Sequence, residues 1–457
     1  MKNLRMILFI IIVLGCLLSL TFFMGVRVDK QANATIDFGK STGKISINYG
    51  ANEDDNWFGF VDYPETRGFH EDVNSQYIRV WVSSQSYRES TIPLLLDGSY
   101  DFTSLDSFIN AVLEIGAIPY MIFAHAPGTF DEGHAQPPPA NDTWFADYVE
   151  TVVKHYKETC ENNQLAKQCD VNEWYFEIWN EPSTNIWWEG TPPRYAKLFN
   201  TVYPRIKALA PDANVGGYTL VFFKSKNNER LRKFLQYSDM DFVSVHHFGN
   251  AINGDNDKEK MMEAKELFYD SILDLRAFIE RYKPNKAIKI INSEYSSDSR
   301  AEYMPYLDEP FTATWYASAL TWEIKTQDIF LEMFYAGTSN FPDKGFGMWS
   351  INNDDSFRMW PVYYMKKSFV KYNQYGSSIF DTAYNSDEID ILAVQNNQGR
   401  FITLINKLDK KNTIALTLQN TQARELMDLN NQERYHVSEN IVQITLEPYE
   451  VKFLQVT

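Results

Sequence analysis

Positive charge, cysteine and histidine are all scarce in this 457-residue chain. Its 43 Lys and Arg face 60 Asp and Glu, a formal net charge of −17. A surface so short of cations repels phosphate backbones and anionic headgroups, which excludes nucleic acid and anionic lipid as the main partner. Of the three cysteines, Cys160 and Cys169 lie close together in sequence and suit a local disulfide better than a metal site. His246 and His247 are adjacent, and neighbours on a strand face opposite ways, with no third ligand nearby. Neither a metal nor a cofactor is therefore expected. No internal repeat is evident, and Pro137-Pro138-Pro139 marks a rigid loop, not a domain linker. Aromatic residues, by contrast, are abundant: 15% of the chain, with 11 Trp and 27 Tyr, enough to offer flat apolar faces to a ligand as well as to fill a core.

The amino terminus reads as a targeting segment. Lys2 and Arg5 precede an apolar run from Met6 to Val26, and Arg27, Asp29 and Lys30 then restore polarity. About 20 apolar residues suffice to span a bilayer, more than a signal-peptide core needs. Residues 1–34 are thus expected to be an uncleaved signal anchor and linker, with the rest of the chain outside the cytoplasm. Two alternatives keep that sidedness. Cleavage near Ala34, in Ala32-Asn33-Ala34, would release the protein, and Val13-Leu14-Gly15-Cys16 resembles a lipoprotein box, although the apolar run continues past Cys16. In an oxidising compartment Cys160 and Cys169 can pair.

Length alone favours one large domain and a smaller one. Strand-like runs recur at Lys44–Gly50, Tyr77–Val82, Ile118–Phe123, Trp174–Trp179, Asn214–Tyr218, Phe242–His246, Ile288–Asn292 and Gly345–Ser350. Helical spacing separates them, as in Phe145, Val149, Val152, Val153 and Tyr156, or Leu267, Ile272, Leu275, Phe278 and Ile279. Strands alternating with helices build a parallel sheet, and eight such units predict an α/β fold, a (β/α)8 TIM barrel, over residues 35–375. After about Tyr375 short alternating segments joined by Asn-, Asp- and Gly-rich turns predict an antiparallel β-sandwich over 376–457, to which Thr35–Phe38 adds a strand.

The chemistry concentrates in Trp174-Tyr175-Phe176-Glu177-Ile178-Trp179-Asn180-Glu181-Pro182. An apolar strand ends here in an amide, a carboxylate and a proline, and parallel barrels carry their active sites at the carboxyl ends of their strands. Glu181 is the first catalytic candidate. Glu177 lies roughly 13 Å deeper, at about 3.3 Å per residue, and reads as a buried, paired structural carboxylate. A second strand-end carboxylate stands in Ile290-Ile291-Asn292-Ser293-Glu294-Tyr295, three βα units later. Two carboxylates that flank one bond are the minimal equipment for glycoside hydrolysis.

Trp179-Asn180-Glu181-Pro182 resembles the acid/base motif of glycoside hydrolase clan A, and the chain outside the anchor is most similar to glycoside hydrolase family 39, which includes xylosidases, iduronidases and exopolysaccharide hydrolases. The resemblance implies Glu181 as acid/base and Glu294 as nucleophile, in a double displacement with retention on a poly- or oligosaccharide. It implies that Asn180 binds the sugar 2-hydroxyl and that Arg79 keeps the nucleophile ionised, although Arg79 equally suits an interior partner for Glu177. Asp241-Phe242-Val243-Ser244-Val245-His246-His247-Phe248 resembles the sixth-strand pattern, so His246 would bind sugar hydroxyls or steady the nucleophile. Phe248 stands where a tyrosine is usual, which removes one hydroxyl. Gly347-Met348-Trp349-Ser350 resembles the end of the eighth strand, with Trp349 as the floor beneath the sugar. Trp187, Trp188, Tyr120 and His125 are candidates for outer-subsite contacts. The rival readings are a transglycosylase on the same scaffold and a non-catalytic glycan-binding or scaffold protein of the cell envelope. Anchor and family together suggest a partner in the polysaccharide export machinery.

Overall fold

The computed structural model describes residues 32–53, 57–82, 91–127, 136–221, 228–249, 258–263, 265–299, 307–339 and 346–457. The expected anchor helix lies outside them. Among the described residues no helix is long and apolar enough to cross a membrane.

The chain opens with β1 (Ala32–Lys44) and then enters a closed barrel. Its strands are β2 (Asn48–Asn52), β3 (Tyr77–Trp81), β4 (Ile118–Phe123), β5 (Tyr175–Ile178), β6 (Asn214–Val221), β7 (Phe242–Phe248), β8 (Lys289–Ser296) and β9 (Ile329–Phe334). Each pairs in parallel with the next, and β9 closes on β2. Side chains alternate across each strand. One set, including Ile78, Val80, Met121, Phe123, Phe176 and Val243, packs outward on the helices. The opposite set fills the lumen, where Tyr77, Tyr120, Tyr175, Phe242, Ile291, Leu331 and Met333 form an apolar floor. Above that floor the lumen turns polar, and the functional chemistry begins there.

The helices follow their apolar spacing. Helix Asp142–Glu161 buries Phe145, Val149, Val152, Val153 and Tyr156, and the side chain of Asn141 caps it by accepting from the Thr143 and Trp144 amides. A disulfide joins Cys160 at its end to Cys169, as the close spacing suggested.

The eighth strand differs from expectation. Of the expected Gly345–Ser350, the first residue lies outside the described ones and Phe346–Ser350 is not a barrel strand; the position is taken by β9, whose apolar run is broken by Glu332. That carboxylate is tolerated because the Lys366 ammonium and the Tyr295 and Tyr316 hydroxyls surround it. Trp349 belongs instead to a small sheet of β10 (Thr338–Ser339), β11 (Trp349–Ile351) and β12 (Phe357–Met359).

The remaining strands, β13 (Ser378–Tyr384), β14 (Ile389–Asn396), β15 (Gly399–Asn406), β16 (Asn412–Gln419), β17 (Glu425–Asp428), β18 (Arg434–His436), β19 (Ile441–Leu446) and β20 (Val451–Val456), join β1 in one nine-stranded sheet. The sheet wraps around its own core of Ile36, Ile391, Leu404, Leu416, Ile444 and Leu454, which gives it the character of a sandwich. Leu392, Val394, Phe401 and Phe453 on the other face continue into the barrel's core. β1 lies inside this sheet, antiparallel to β13 and parallel to β16, so residues before the barrel complete the terminal domain.

Candidate active site

The polar layer of the lumen is organised by one guanidinium. Arg79 is fully buried at mid-strand in β3. Its Nε and Nη2 donate to Glu177 Oε2 at 3.1 and 2.9 Å, and Nη1 donates to Glu294 Oε1 and to Asn52 Oδ1. The second oxygen of Glu177 accepts from Thr219 Oγ1 at 2.7 Å and from Ser244 Oγ. A buried ion pair holds only when its remaining lone pairs are met, and here they are. Arg79 thus contacts both of its expected partners, Glu177 and Glu294.

Two local irregularities bring the glutamates to the mouth. In the β7–β8 ladder Val245 pairs with Asn292 and His246 with Glu294, so Ser293 is an inserted bulge residue. The insertion turns Ser293 and Glu294 both towards the lumen. The Ser293 carbonyl accepts from Asn52 Nδ2, and its hydroxyl meets His246 Nε2. After β5 the backbone adopts left-handed conformations at Trp179 (φ 69°) and Glu181 (φ 40°). Such conformations cost about 1–3 kcal/mol in a non-glycine residue and concentrate at functional sites. Here they send the Trp179 ring outward against Phe145 and Trp188 and leave Asn180 and Glu181 facing inward.

Glu181 and Glu294 converge on His246. The Nδ1 of His246 is 2.7 Å from Glu181 Oε1 and 3.4 Å from Glu294 Oε2. One oxygen of each glutamate and a ring nitrogen all lie within 4.8 Å of one another. Burial pushes the Glu181 carboxyl up to about 8 against the pull of Arg79, with Glu177 adding repulsion. Burial, and then Arg79, hold His246 well below its usual range, so the ring is neutral. The mouth therefore holds an acid that keeps its proton at neutral pH beside a carboxylate bound to a guanidinium. Such a cluster could also ligate a cation, but Arg79 already meets the charge of Glu294, and the raised Glu181 is a poor ligand while protonated.

The other expected residues divide. Asn180 is buried in the same layer, its Oδ1 3.4 Å from Arg79 Nη2. Trp187 is half-buried beside the mouth, edge-on to Trp81 at 6.0 Å. Trp188 is not a subsite residue: it is fully buried between Trp179 and Tyr195. Nor is Tyr120, which stacks on Tyr175 in the lumen floor. His125 stands two residues past β4 but is only 2% exposed, its Nδ1 against the Ala126 carbonyl, and burial holds it down to about 4. Trp349 is fully buried against Phe69 and His70 and donates to Thr338 Oγ1 at 2.9 Å, so it presents no face to a sugar. Tyr335, half-buried directly after β9, stands nearer the expected place, edge-on to Phe248 and Phe346.

Three contributors escaped the sequence reading. Asn52, which orients Arg79, lies two residues beyond the expected end of the first strand. Trp81 shares a face with Arg79, and its position two residues further on was the available signal. Glu53 is buried at the end of β2, where it accepts from Thr338 and meets His70 Nε2 at 2.9 Å; nothing local marked it.

A barrel that sets a protonated carboxyl against a guanidinium-bound carboxylate at its mouth holds the parts a barrel glycosidase uses. The chain belongs to glycosyl hydrolases family 39, whose family model matches residues 40–392. It is 25% identical to a beta-xylosidase of Caldicellulosiruptor saccharolyticus over 344 residues, 67% of this chain and 64% of that one. It is also 25% identical to a beta-xylosidase of Geobacillus stearothermophilus over 255 residues, 51% of this chain and 48% of the relative. The chain thus spans between about half and just under two thirds of the length of these curated relatives. In fold it is similar to a monomeric beta-xylosidase from Caulobacter crescentus CB15, with a TM-score of 0.66 and 13% identity over 93% of this chain and 99% of that one. It is likewise similar to an alpha-L-arabinofuranosidase from Thermotoga maritima, with a TM-score of 0.64 and 14% identity over 93% and 100% of the two chains.

Proposed function

We propose that this protein is a retaining glycoside hydrolase that cleaves O-glycosidic bonds of a poly- or oligosaccharide, with Glu181 as acid/base and Glu294 as nucleophile. The observation that supports it is the closeness of the two carboxyl groups, with oxygens within 4.8 Å. Retaining enzymes hold the pair about 5–5.5 Å apart, whereas inverting ones need roughly 6.5–9.5 Å to admit water between them. Glu294 attacks the anomeric carbon while Glu181 gives its proton to the departing oxygen. The glycosyl ester formed on Glu294 is then opened by water, whose proton returns to Glu181. Having given up its proton, and with the Glu294 charge neutralised in that ester, Glu181 stays ionised and can take the proton from water in the second step. In this reading Asn180 binds the 2-hydroxyl, and Trp81 and Trp187 line the rim.

The names of the relatives make a β-xyloside the first substrate to try. The disulfide supports the extracytoplasmic placement expected from the amino terminus, because such bonds persist in oxidising compartments. With an anchor retained, the substrate would be a cell-envelope exopolysaccharide. Purified protein should hydrolyse an aryl β-xyloside or a member of a glycan panel, and Glu294→Gln should abolish turnover. NMR of the first-formed product decides the stereochemistry. An inverted anomer, or full activity in Glu294→Gln, would end the proposal. Products lengthened by added acceptor sugar would favour transglycosylation.

A further inference from the structure

A second recess, of about 810 Å³, opens in the seam between the barrel's flank and the terminal sheet, and shares no residue with the mouth. Helix Pro310–Thr326 contributes Trp322 and Lys325, the turn Lys265–Asp270 contributes Lys265 and Tyr269, and β13 contributes Thr382 and Tyr384. Lys407, just past β15, completes a set of three ammonium groups.

The charges inside are unevenly matched. Lys265 and Lys325 lie over the same Trp322 indole, 5.7 and 4.6 Å from its centroid, and Lys325 is also 5.3 Å from the Tyr384 ring. Of the neighbouring carboxylates, Asp390 is buried and already accepts from Ser318, from Trp322 at 2.9 Å and from Tyr384 at 3.3 Å, with Lys407 at 3.7 Å. Asp381 pairs with Lys40 at 2.6 Å. Lys325 donates to Thr382 Oγ1 at 3.3 Å, and among the described residues no carboxylate lies within ion-pair distance of it. An ammonium has three donors, so this half-buried one is under-satisfied. Burial holds it down to about 8, against the pull of Asp390 and Asp381 and with some repulsion from Lys265 and Lys407.

An anion beside Lys325 would meet its unused donors, with the nearby Lys265 charge adding attraction. The volume, within the roughly 300–1,000 Å³ of ligand pockets, far exceeds what a lone carboxylate fills. The half-buried rings of Tyr269 and Tyr384 offer apolar surface of the kind that sugar C–H faces cover. Outside, Glu259, Glu263, Asp387 and Glu388 form an exposed acidic rim that disfavours a densely charged polyanion. We infer that this recess is a second, non-catalytic glycan-binding site, and that its ligand is an oligosaccharide bearing an isolated carboxylate, as a single uronic acid residue does. The inference rests on the glycan-processing role proposed above, since it makes the recess a holder for the same polymer.

The test is calorimetry on the full-length Glu294→Gln protein with three probes: a xylo-oligosaccharide carrying one glucuronic acid, the same oligosaccharide without it, and free glucuronic acid. The acidic oligosaccharide should bind at least tenfold more tightly than the other two. Lys325→Met should remove most of that preference, and Lys265→Ala, at an exposed position, should weaken it several-fold with the fold intact. In the wild-type background both substitutions should leave aryl-glycoside turnover unchanged. No binding, equal affinity for the neutral oligosaccharide or for free glucuronic acid, or indifference to both substitutions would overturn the inference. Aryl-glycoside turnover and its loss in Glu294→Gln stand or fall separately, so the two readings fail independently.

Discussion

Replacing Glu181 with glutamine tests the site through two independent readouts. The side chain is 13% exposed, and its carboxyl is raised from an ordinary 4.5 to about 8, chiefly by burial. Folding therefore favours the protonated form. The sign follows: this contribution to stability is fully present below pH 4.5 and is lost as pH rises towards about 8. At about 1.36 kcal/mol per pH unit the loss is roughly 5 kcal/mol at most, reduced by the contact the carboxyl keeps with water. The amide of the variant has no proton to lose, so the Glu181→Gln protein should gain on the wild type steadily between pH 5 and 8 and hold a constant margin above that. Urea melts at several pH values measure it. In the second readout, glycosides with poor leaving groups should slow by about 10²–10⁴-fold, the usual worth of a general acid, while activated aryl glycosides lose far less in the first step. The wild-type alkaline limb near pH 8 should vanish for the activated substrate. Parallel stability curves, or equal loss on both substrates, would refute the assignment of Glu181 as a buried, protonated acid.

Three other perturbations follow from the same geometry. Arg79→Met leaves Glu177 and Glu294 without their shared cation, so we expect a destabilisation of about 3–5 kcal/mol in denaturant melts and an acid limb of kcat/KM displaced to higher pH. Ser244→Ala removes one of the two hydroxyls on Glu177 Oε1 and should cost about 1–3 kcal/mol by the same melts, with little change in kcat if Glu177 is purely structural. Cys160→Ser with Cys169→Ser opens a loop with a sequence separation of 9 and should lower stability by about 2.5 kcal/mol, read as the difference between the variant and the oxidised wild type.

Much of the fold was legible because it rests on local rules. Short strand-like runs separated by helical spacing marked seven of the eight barrel strands, and the change of rhythm near Tyr375 marked the terminal sheet. Glu181 and Glu294 were legible because a carboxylate next to the end of an apolar parallel strand has few structural reasons to be there. Glu177 was readable as structural from its depth alone. The eighth strand was missed because a buried Glu332 interrupts its pattern, and only Lys366, Tyr295 and Tyr316, from other parts of the chain, make that carboxylate tolerable.

The sequence by itself determined the alternation that makes a barrel and the two acids, and left Arg79 open between Glu177 and the nucleophile. It could not decide which tryptophans meet a ligand, because exposure belongs to the assembled neighbours: Trp188 and Trp349 are enclosed, whereas Trp187 stays half-open. Nor could it decide that Glu294 faces inward beside Ser293, since that depends on one bulge residue in the pairing with β7. Periodicity is a property of a few consecutive residues, but closure, register and burial depend on strands that meet only after the chain has folded.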